Sequence, residues 1–192
     1  NCKICGSDSP KFLGFRGNLE YMGAPKLSAD QEHMVTNVVR CRKCGFIYTN
    51  PMIILPSEKK ISFYNEPEKY QSSIYQDPLK IFNKTLNLIG KFTKHKGKLL
   101  DVGSGKGEFL AVAKMRGWEV FGVEPSENFV RYAKEKYNLN IRNSSLEEAG
   151  FPENFFDVIT LNMVLEHIEK PHSLFSAIHK ILKKEGLLYI EV

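Results

Sequence analysis

Three glycines at alternate positions, Gly103, Gly105 and Gly107, follow a short apolar segment, and an acid, Glu124, follows the next apolar segment. Glycines in this pattern allow a tight turn and leave room for a ligand against the main chain. The amides at the start of the following helix would point at that ligand. A carboxylate after the second segment can accept hydrogen bonds from both hydroxyls of a ribose. These residues therefore predict a nucleotide-binding loop.

The elements around the loop have the order expected of half a nucleotide-binding α/β unit. Residues 99–102 and 120–123 form two apolar runs typical of buried strands, and residues 109–113 form a helical pattern closed by Gly117. The dinucleotide fingerprint Gly-x-Gly-x-x-Gly would require a glycine where the chain has Glu108. The ligand is therefore predicted not to be a dinucleotide.

All four cysteines fall in two Cys-x-x-Cys-Gly segments, which contain Cys2 with Cys5 and Cys41 with Cys44. Two such knuckles can supply a tetrahedral four-thiolate site, the usual closed arrangement of structural zinc. Redox pairs come singly and near a βαβ unit, and disulfides fit poorly with a cytosolic enzyme. The pattern therefore predicts one structural Zn²⁺.

Further patterns divide the chain into a zinc-binding module at 1–55, a bridge at 56–76 and an α/β core at 77–192. Between the knuckles, residues 12–15 and 34–39 form the two strands of a predicted hairpin. The bridge carries aromatic residues that either pack on the core or form a flap over a ligand: Phe63, Tyr64, Tyr70 and Tyr75.

Three helices of the core have recognisable starts. Asp77 before Pro78 begins one, with Leu79, Phe82, Leu86 and Ile89 predicted to face inward, and Ser126 begins another. The third starts at Pro171 and is predicted to end at Lys183, Lys184 and Gly186.

The sequence Asp101-x-Gly-x-Gly-x-Gly, with Glu124 after the next strand, resembles the first motif of class I S-adenosylmethionine-dependent methyltransferases. The resemblance implies a Rossmann-like α/β sheet and S-adenosylmethionine as cofactor. Many relatives have an Asp at the turn that faces the adenine, where this chain has Ser144 and Ser145. The cofactor-binding residues it implies are Asp101, Gly103, Ser104, Gly105, Gly107, Glu124, Pro125, Ser145, Leu146 and Asn162.

A Leu-Glu-His segment, residues 165–167, follows the strand predicted at 155–161. This segment resembles one that lies beside the sulfonium in small-molecule methyltransferases of this class. It implies that His167 removes a proton from the methyl acceptor and that Glu166 orients it or holds substrate hydroxyls. The alternative is a histidine that caps a helix beside a solvated glutamate.

The paired knuckles, the Asn50-Pro51 exit, the tyrosine-bearing bridge and the core together resemble sugar C-methyltransferases, which act on nucleotide-linked deoxysugars. The predicted partner is therefore a small-molecule methyl acceptor. A ribosomal-RNA base methyltransferase is one alternative, although the basic bias is weak and no Asn-Pro-Pro-aromatic motif follows the fourth strand. A non-catalytic module that binds the cofactor and recruits a partner is the other.

The composition sets the remaining expectations. A chain of 192 residues with a net charge of +5 and no long apolar run predicts a soluble, cytoplasmic protein, with no membrane partner and nucleic acid not expected. The densest basic group, Lys94, His95, Lys96 and Lys98, is interpreted as a solvated loop.

The fifth predicted strand, at 187–192, ends the sequence before the C-terminal hairpin of the methyltransferase sheet. We therefore expect a C-terminally truncated core with strands 1 to 5. Its fifth strand should be uncovered on both faces and self-associate through its free edge.

Overall fold

A computed structural model describes residues 1–16, 36–50, 67, 77–168 and 171–192. These residues belong to two compact units, one containing 1–16 and 36–50 and the other containing 67, 77–168 and 171–192. The bridge aromatics Phe63, Tyr64, Tyr70 and Tyr75 lie outside the described residues. In the described ranges, no helix combines the length and the apolar character that crossing a membrane requires.

The first unit is an antiparallel three-stranded sheet in the order β1-β2-β3. Its strands are β1 (Pro10–Arg16), β2 (Thr36–Cys41) and β3 (Ile47–Asn50). The predicted hairpin is confirmed where it can be followed, because Phe12 pairs with Val39 and Phe15 with Asn37. The predicted return-strand residues Met34 and Val35 lie outside the described residues.

The second unit is built on a parallel five-stranded sheet in the order β6-β5-β4-β7-β8. This is the Rossmann-like arrangement that the sequence predicted. Its elements in chain order are α1 (Pro78–Phe92), β4 (Lys98–Val102), α2 (Glu108–Met115), β5 (Glu119–Val123), α3 (Glu127–Tyr137), β6 (Ile141–Arg142), β7 (Phe156–Asn162), a 3-10 turn (Leu165–His167), α4 (Pro171–Ile181) and β8 (Leu182–Glu191).

Two apolar clusters cover the two faces of this sheet. Leu99 and Val158 pack with residues of α1 and α2 on one face, whereas Leu100 and Ile159 pack with residues of α4 on the other. Alternate residues of a strand point to opposite faces, so both faces of the central strands are buried. This explains why β4 and β7 are nearly continuous apolar runs.

Helix α1 begins as predicted, with the Asp77 carboxylate accepting a hydrogen bond from the Lys80 amide at 3.1 Å. The predicted inward face of the helix is buried only in part. Leu86 and Ile89 are buried, but Leu79 in the first turn is 61% exposed. The packed part of the helix therefore begins after its first turn.

The predicted end of the last helix was wrong. Helix α4 ends at Ile181, and Leu182 already belongs to β8. The amides of Asn154 and Phe155 donate to the carbonyls of Lys180 and Ile181, at 3.1 and 2.8 Å. Because the preceding loop already satisfies these terminal carbonyls, the helix needs no left-handed glycine after it.

Strand β8 lies at one edge of the described sheet, next to β7. The expectation that both its faces are uncovered was wrong for its middle. Leu187 and Tyr189 pack against the α1–α2 cluster, and Leu188 packs against the α4 cluster. The strand is open near its start, at Lys184 and Glu185, and at its end, where Ile190 is 39% exposed.

Candidate cofactor site and cysteine cluster

The glycine loop joins the carboxyl end of β4 to α2 and forms the predicted tight turn with a left-handed backbone at its three glycines. The φ angles of Gly103, Gly105 and Gly107 are +69°, +52° and +75°. The amides of Gly103 and Ser104 both donate to the Val123 carbonyl, at 2.9 and 3.0 Å. These bonds fix the loop against the end of β5.

The three glycines serve different purposes. A Cβ on Gly103 would lie 2.7 Å from the Val164 side chain, and one on Gly107 would lie 2.7 Å from Leu139. Both positions are therefore closed by packing. A Cβ on Gly105 would meet no atom within 4 Å, so the middle of the loop faces open space. This is where a ligand has room to approach the main chain.

Glu124 is fastened to both sides of this loop. Its Oε2 accepts a hydrogen bond from the Gly105 amide and its Oε1 accepts one from the Ser126 amide, each at 2.9 Å. The side chain is nearly buried, and burial raises its pKa although the two amides lower it. Each oxygen keeps a second lone pair, so the carboxylate can still accept from ligand hydroxyls.

Asp101 forms a buried polar network at the end of β4. Its Oδ1 accepts hydrogen bonds from the Thr160 hydroxyl at 2.6 Å and from the Asn162 side-chain amide at 3.0 Å. Burial raises the pKa of Asp101 to about 7, even though both bonds lower it. Thr160 is a hydrogen-bonding neighbour of Asp101 that the sequence analysis missed, although a polar residue inside an apolar strand is a usable signal.

The turn after β6 brings a third group of residues to the same edge. Asn143 donates to the carbonyls of Glu124 and Pro125, at 3.0 and 2.9 Å, and so ties this turn to the end of β5. Sequence analysis missed Asn143, because only the fold places it beside that loop. Pro125 itself is exposed, and Leu146 is buried in the α4 cluster.

The two serines of this turn differ in whether their hydroxyls already have hydrogen-bond partners. The Ser145 hydroxyl donates to the Glu148 carboxylate at 2.9 Å and accepts from the Glu148 amide, so it closes a local cap. The Ser144 hydroxyl is buried and, in the described part of the chain, has no hydrogen-bond partner. An orphaned buried hydroxyl of this kind is costly, and a bound ligand can satisfy it.

The predicted acid–base pair follows β7 on an unusual turn. Met163 has a φ of +55°, and the 3-10 turn that contains Glu166 and His167 comes directly after it. Val164 packs over Gly103, so this turn adjoins the glycine loop. The side chains of Glu166 and His167 are both exposed. Sequence analysis gave no signal for the left-handed methionine.

The four cysteines of the first unit converge as the two knuckles predicted. Their Sγ atoms all lie within 4.8 Å of one another, with Cys2 to Cys44 and Cys5 to Cys41 each at 3.6 Å. A tetrahedral zinc with bonds of about 2.3 Å requires sulfur–sulfur distances of about 3.8 Å. The donor set and its spacing therefore fit Zn²⁺.

The sheet topology and the site define one class. The parallel sheet carries a left-handed glycine loop after β4, a buried acid after β5 and an orphaned hydroxyl after β6. Together these features define the S-adenosylmethionine-binding domain of a class I methyltransferase. The open space at Gly105, the free lone pairs of Glu124 and the Ser144 hydroxyl fit that cofactor.

The chain belongs to the methyltransferase domain family, which residues 73–192 match. It is 32% identical over 120 residues to a ubiquinone biosynthesis O-methyltransferase of Glaesserella parasuis, covering 57% of this chain and 48% of that protein. It is 27% identical to a ribosomal protein L11 methyltransferase of Dictyoglomus thermophilum, covering 73% and 48%.

Among solved structures, the chain resembles the plantazolicin methyltransferase BpumL in complex with S-adenosylhomocysteine. The TM-score is 0.55 at 21% identity, over 70% of this chain and 52% of that one. This likeness shows the fold. The chain spans between 40% and 62% of the length of eight curated relatives that it matches.

Proposed function

We propose that this protein transfers a methyl group from S-adenosylmethionine to a small molecule, with a nucleotide-linked sugar or a related metabolite as the acceptor. The observation that carries the proposal is the Glu124 carboxylate, which Gly105 and Ser126 hold at the mouth of the glycine loop with lone pairs to spare. Such a carboxylate can accept hydrogen bonds from both hydroxyls of a ribose. The bound cofactor would supply an activated methyl group on a sulfonium centre.

The chain's own residues divide the work of binding. Glu124 would hold the ribose, and the unsatisfied Ser144 hydroxyl would bond the adenine in place of the carboxylate found in many relatives. Ser145 was the expected contact, but its hydroxyl already caps Glu148, so its backbone and the apolar side chain of Leu146 are what remain for the adenine. Asp101 and Asn162 would face the amino-acid end of the cofactor from the end of the sheet.

His167 would act as the base that removes a proton from the acceptor, with Glu166 orienting it or holding acceptor hydroxyls. Both side chains are exposed next to the packed end of the glycine loop, where an acceptor can reach them. The main contribution of the fold would be alignment of acceptor, methyl group and sulfur.

The N-terminal unit is proposed to be a zinc module of residues 1–55, joined by a bridge at 56–76 to the core at 77–192. Four thiolates leave no open coordination position, so the metal would be structural. The combination of this module with the core supports the sugar C-methyltransferase type, by resemblance in sequence. A cytoplasmic location stays a prediction.

Calorimetry with S-adenosylmethionine tests the cofactor assignment. Glu124→Ala should weaken binding by about 1.5–3 kcal/mol, the range for hydrogen bonds to a charged acceptor. Glu135→Ala, on the exposed face of α3, is the matched control and should bind like the wild type. Unchanged affinity in Glu124→Ala, or tighter binding of a nicotinamide dinucleotide, would contradict the assignment.

Mass spectrometry of reaction mixtures tests the acceptor class. Incubation with S-adenosylmethionine and a panel of nucleotide-linked keto sugars should give a product heavier by one methylene, together with S-adenosylhomocysteine. Methylation of ribosomal RNA instead, or cofactor binding without turnover on any acceptor, would reject the small-molecule assignment.

A further inference from the structure

A cleft of about 580 Å³ lies on the α1–α2 side of the second unit, and no residue of the glycine loop lines it. Its lining includes Lys91 near the end of α1, Lys94 and Lys96 from the loop before β4, and Arg116 and Trp118 from the loop before β5. Both loops lead into the amino ends of parallel strands. We call this the amino-edge cleft.

No carboxylate in the lining of the amino-edge cleft compensates its positive charge. None of its lining residues is an Asp or Glu, and in the described part of the chain Lys91, Lys94 and Lys96 form no ion pair with a carboxylate. The sequence analysis treated Lys94 and Lys96 as a solvated loop. The fold instead brings them to one concave surface with two cations from other elements.

Arg116 is held in place by neutral partners. Its guanidinium donates to the carbonyl and side-chain oxygens of Asn83 at 3.2 and 3.1 Å, and to the Asn87 side-chain oxygen at 2.6 Å. These bonds fix its orientation without cancelling its charge. A fixed guanidinium with donors to spare is suited to phosphate recognition.

Helix dipoles offset only part of the positive charge of the cleft. The carboxyl ends of α1 and α2 both lie at the cleft, and each helix end is equivalent to about half a negative charge. Together they offset about one of the four permanent cations. His95 lies 3.8 Å from Asp157, but that carboxylate also pairs with Lys183 at 2.7 Å. The cleft is therefore strongly cationic.

We infer that the amino-edge cleft binds a small phosphorylated molecule. Its volume lies within the range of small-ligand pockets, about 300–1,000 Å³. The Asn87 side-chain amide adds a neutral hydrogen-bond donor, and Trp118, which is only 5% exposed, completes the lining. The concave shape favours a compact ligand over an extended polyanion.

This site is separate from the cofactor site. The glycine loop follows the carboxyl end of β4, whereas Lys94 and Lys96 precede its amino end. A five-residue strand spans about 16 Å, so one ligand group cannot occupy both positions. Binding in the cleft therefore does not depend on the proposed methyl transfer, and S-adenosylmethionine should not compete for it.

Gly90 provides a sharp test, because it lines the cleft and a Cβ there would meet no atom within 4 Å. Calorimetry of the whole chain with inorganic pyrophosphate, and separately with ADP, should give a dissociation constant below about 1 mM at low salt. Gly90→Glu should weaken that binding about tenfold or more. Gly90→Gln, which adds a side chain of the same shape as Glu without the charge, should not weaken it. Both variants should bind S-adenosylmethionine like the wild type.

A second variant covers the case in which changes at Gly90 disturb helix α1. Lys94→Gln combined with Lys96→Gln should weaken pyrophosphate binding, and Lys134→Gln on the exposed surface of α3 should not. The proposal is overturned if neither probe binds, if all variants bind equally, or if S-adenosylmethionine displaces pyrophosphate. It is also overturned if a short RNA binds through the same lysines while pyrophosphate and ADP do not.

Discussion

Replacement of Asp101 by Asn should remove a pH-dependent cost that the site imposes on the fold. The carboxyl group is 3% exposed, and burial raises its pKa from 3.8 to about 7. Both of its hydrogen bonds, from Thr160 and Asn162, go to Oδ1. An Asn side chain has an oxygen that can accept the same two bonds, so Asp101→Asn changes the charge while preserving the network.

The sign follows from proton linkage. In the unfolded chain Asp101 ionises near pH 4, whereas in the folded chain it stays protonated until about pH 7. Between these values the folded state binds more protons, so this group's contribution to stability falls as the pH rises. The total cost above pH 7 is about 4 kcal/mol, at 1.36 kcal/mol for each pKa unit.

Urea unfolding of the second unit, followed by Trp118 fluorescence at pH 5 and pH 8, measures this effect. The stability of Asp101→Asn relative to the wild type should rise by about 3 kcal/mol from pH 5 to pH 8. Taking the difference between the two proteins cancels the other titrating groups. Parallel pH profiles would refute the reasoning, because they would mean that Asp101 is ionised at pH 5 in the folded protein.

Three further changes should have distinct effects. Gly97→Ala would place a methyl group on the Asp157 carboxylate, which holds the Lys98 amide and Lys183, and should lower the urea-unfolding free energy of the second unit by about 1–3 kcal/mol. Cys41→Ser should abolish a zinc content of one per chain and unfold the first unit alone, as seen by metal analysis and circular dichroism. His167→Ala should lower kcat by about 10²–10⁴ in a methyl-transfer assay while calorimetry shows unchanged cofactor affinity.

Each of these changes has a control and an outcome against it. Gly90→Ala adds a methyl group in open space and should not destabilise; equal losses at Gly90 and Gly97 would contradict the Asp157 argument. Freshly purified protein without zinc would reject the metal site. His179→Ala, at an exposed position of α4, should keep full turnover, and full turnover in His167→Ala would exclude His167 as the base.

Local patterns were enough to predict the elements that hold the site. The glycine loop needs left-handed backbone at Gly103, Gly105 and Gly107, and glycine is the residue that takes it at least cost. The cysteine knuckles carry their own turn residues, so their spacing alone indicated a shared metal. The glycine loop and each knuckle are therefore encoded within a few consecutive residues.

The remaining features depend on contacts between distant residues. The sequence analysis chose Ser145 over Ser144 for the adenine, but which of the two hydroxyls is free depends on Glu148 and on burial by the folded turn. The predicted end of α4 was wrong because two amides of the loop before β7, distant in sequence, satisfy the last carbonyls of the helix. The left-handed Met163 has no local cause, since a methionine does not favour that conformation.

The cysteine cluster also constrains how the chain is made. It joins pairs of residues that are 36 and 42 positions apart, so the first knuckle is synthesised well before its partner. At about 5–20 residues per second, the second knuckle follows the first after about 2–8 s. During that interval Cys2 and Cys5 lack the two partner cysteines that complete the cluster. The proposed metal site can therefore close only after Cys44 has been synthesised, whereas every strand of the second unit follows later in the chain.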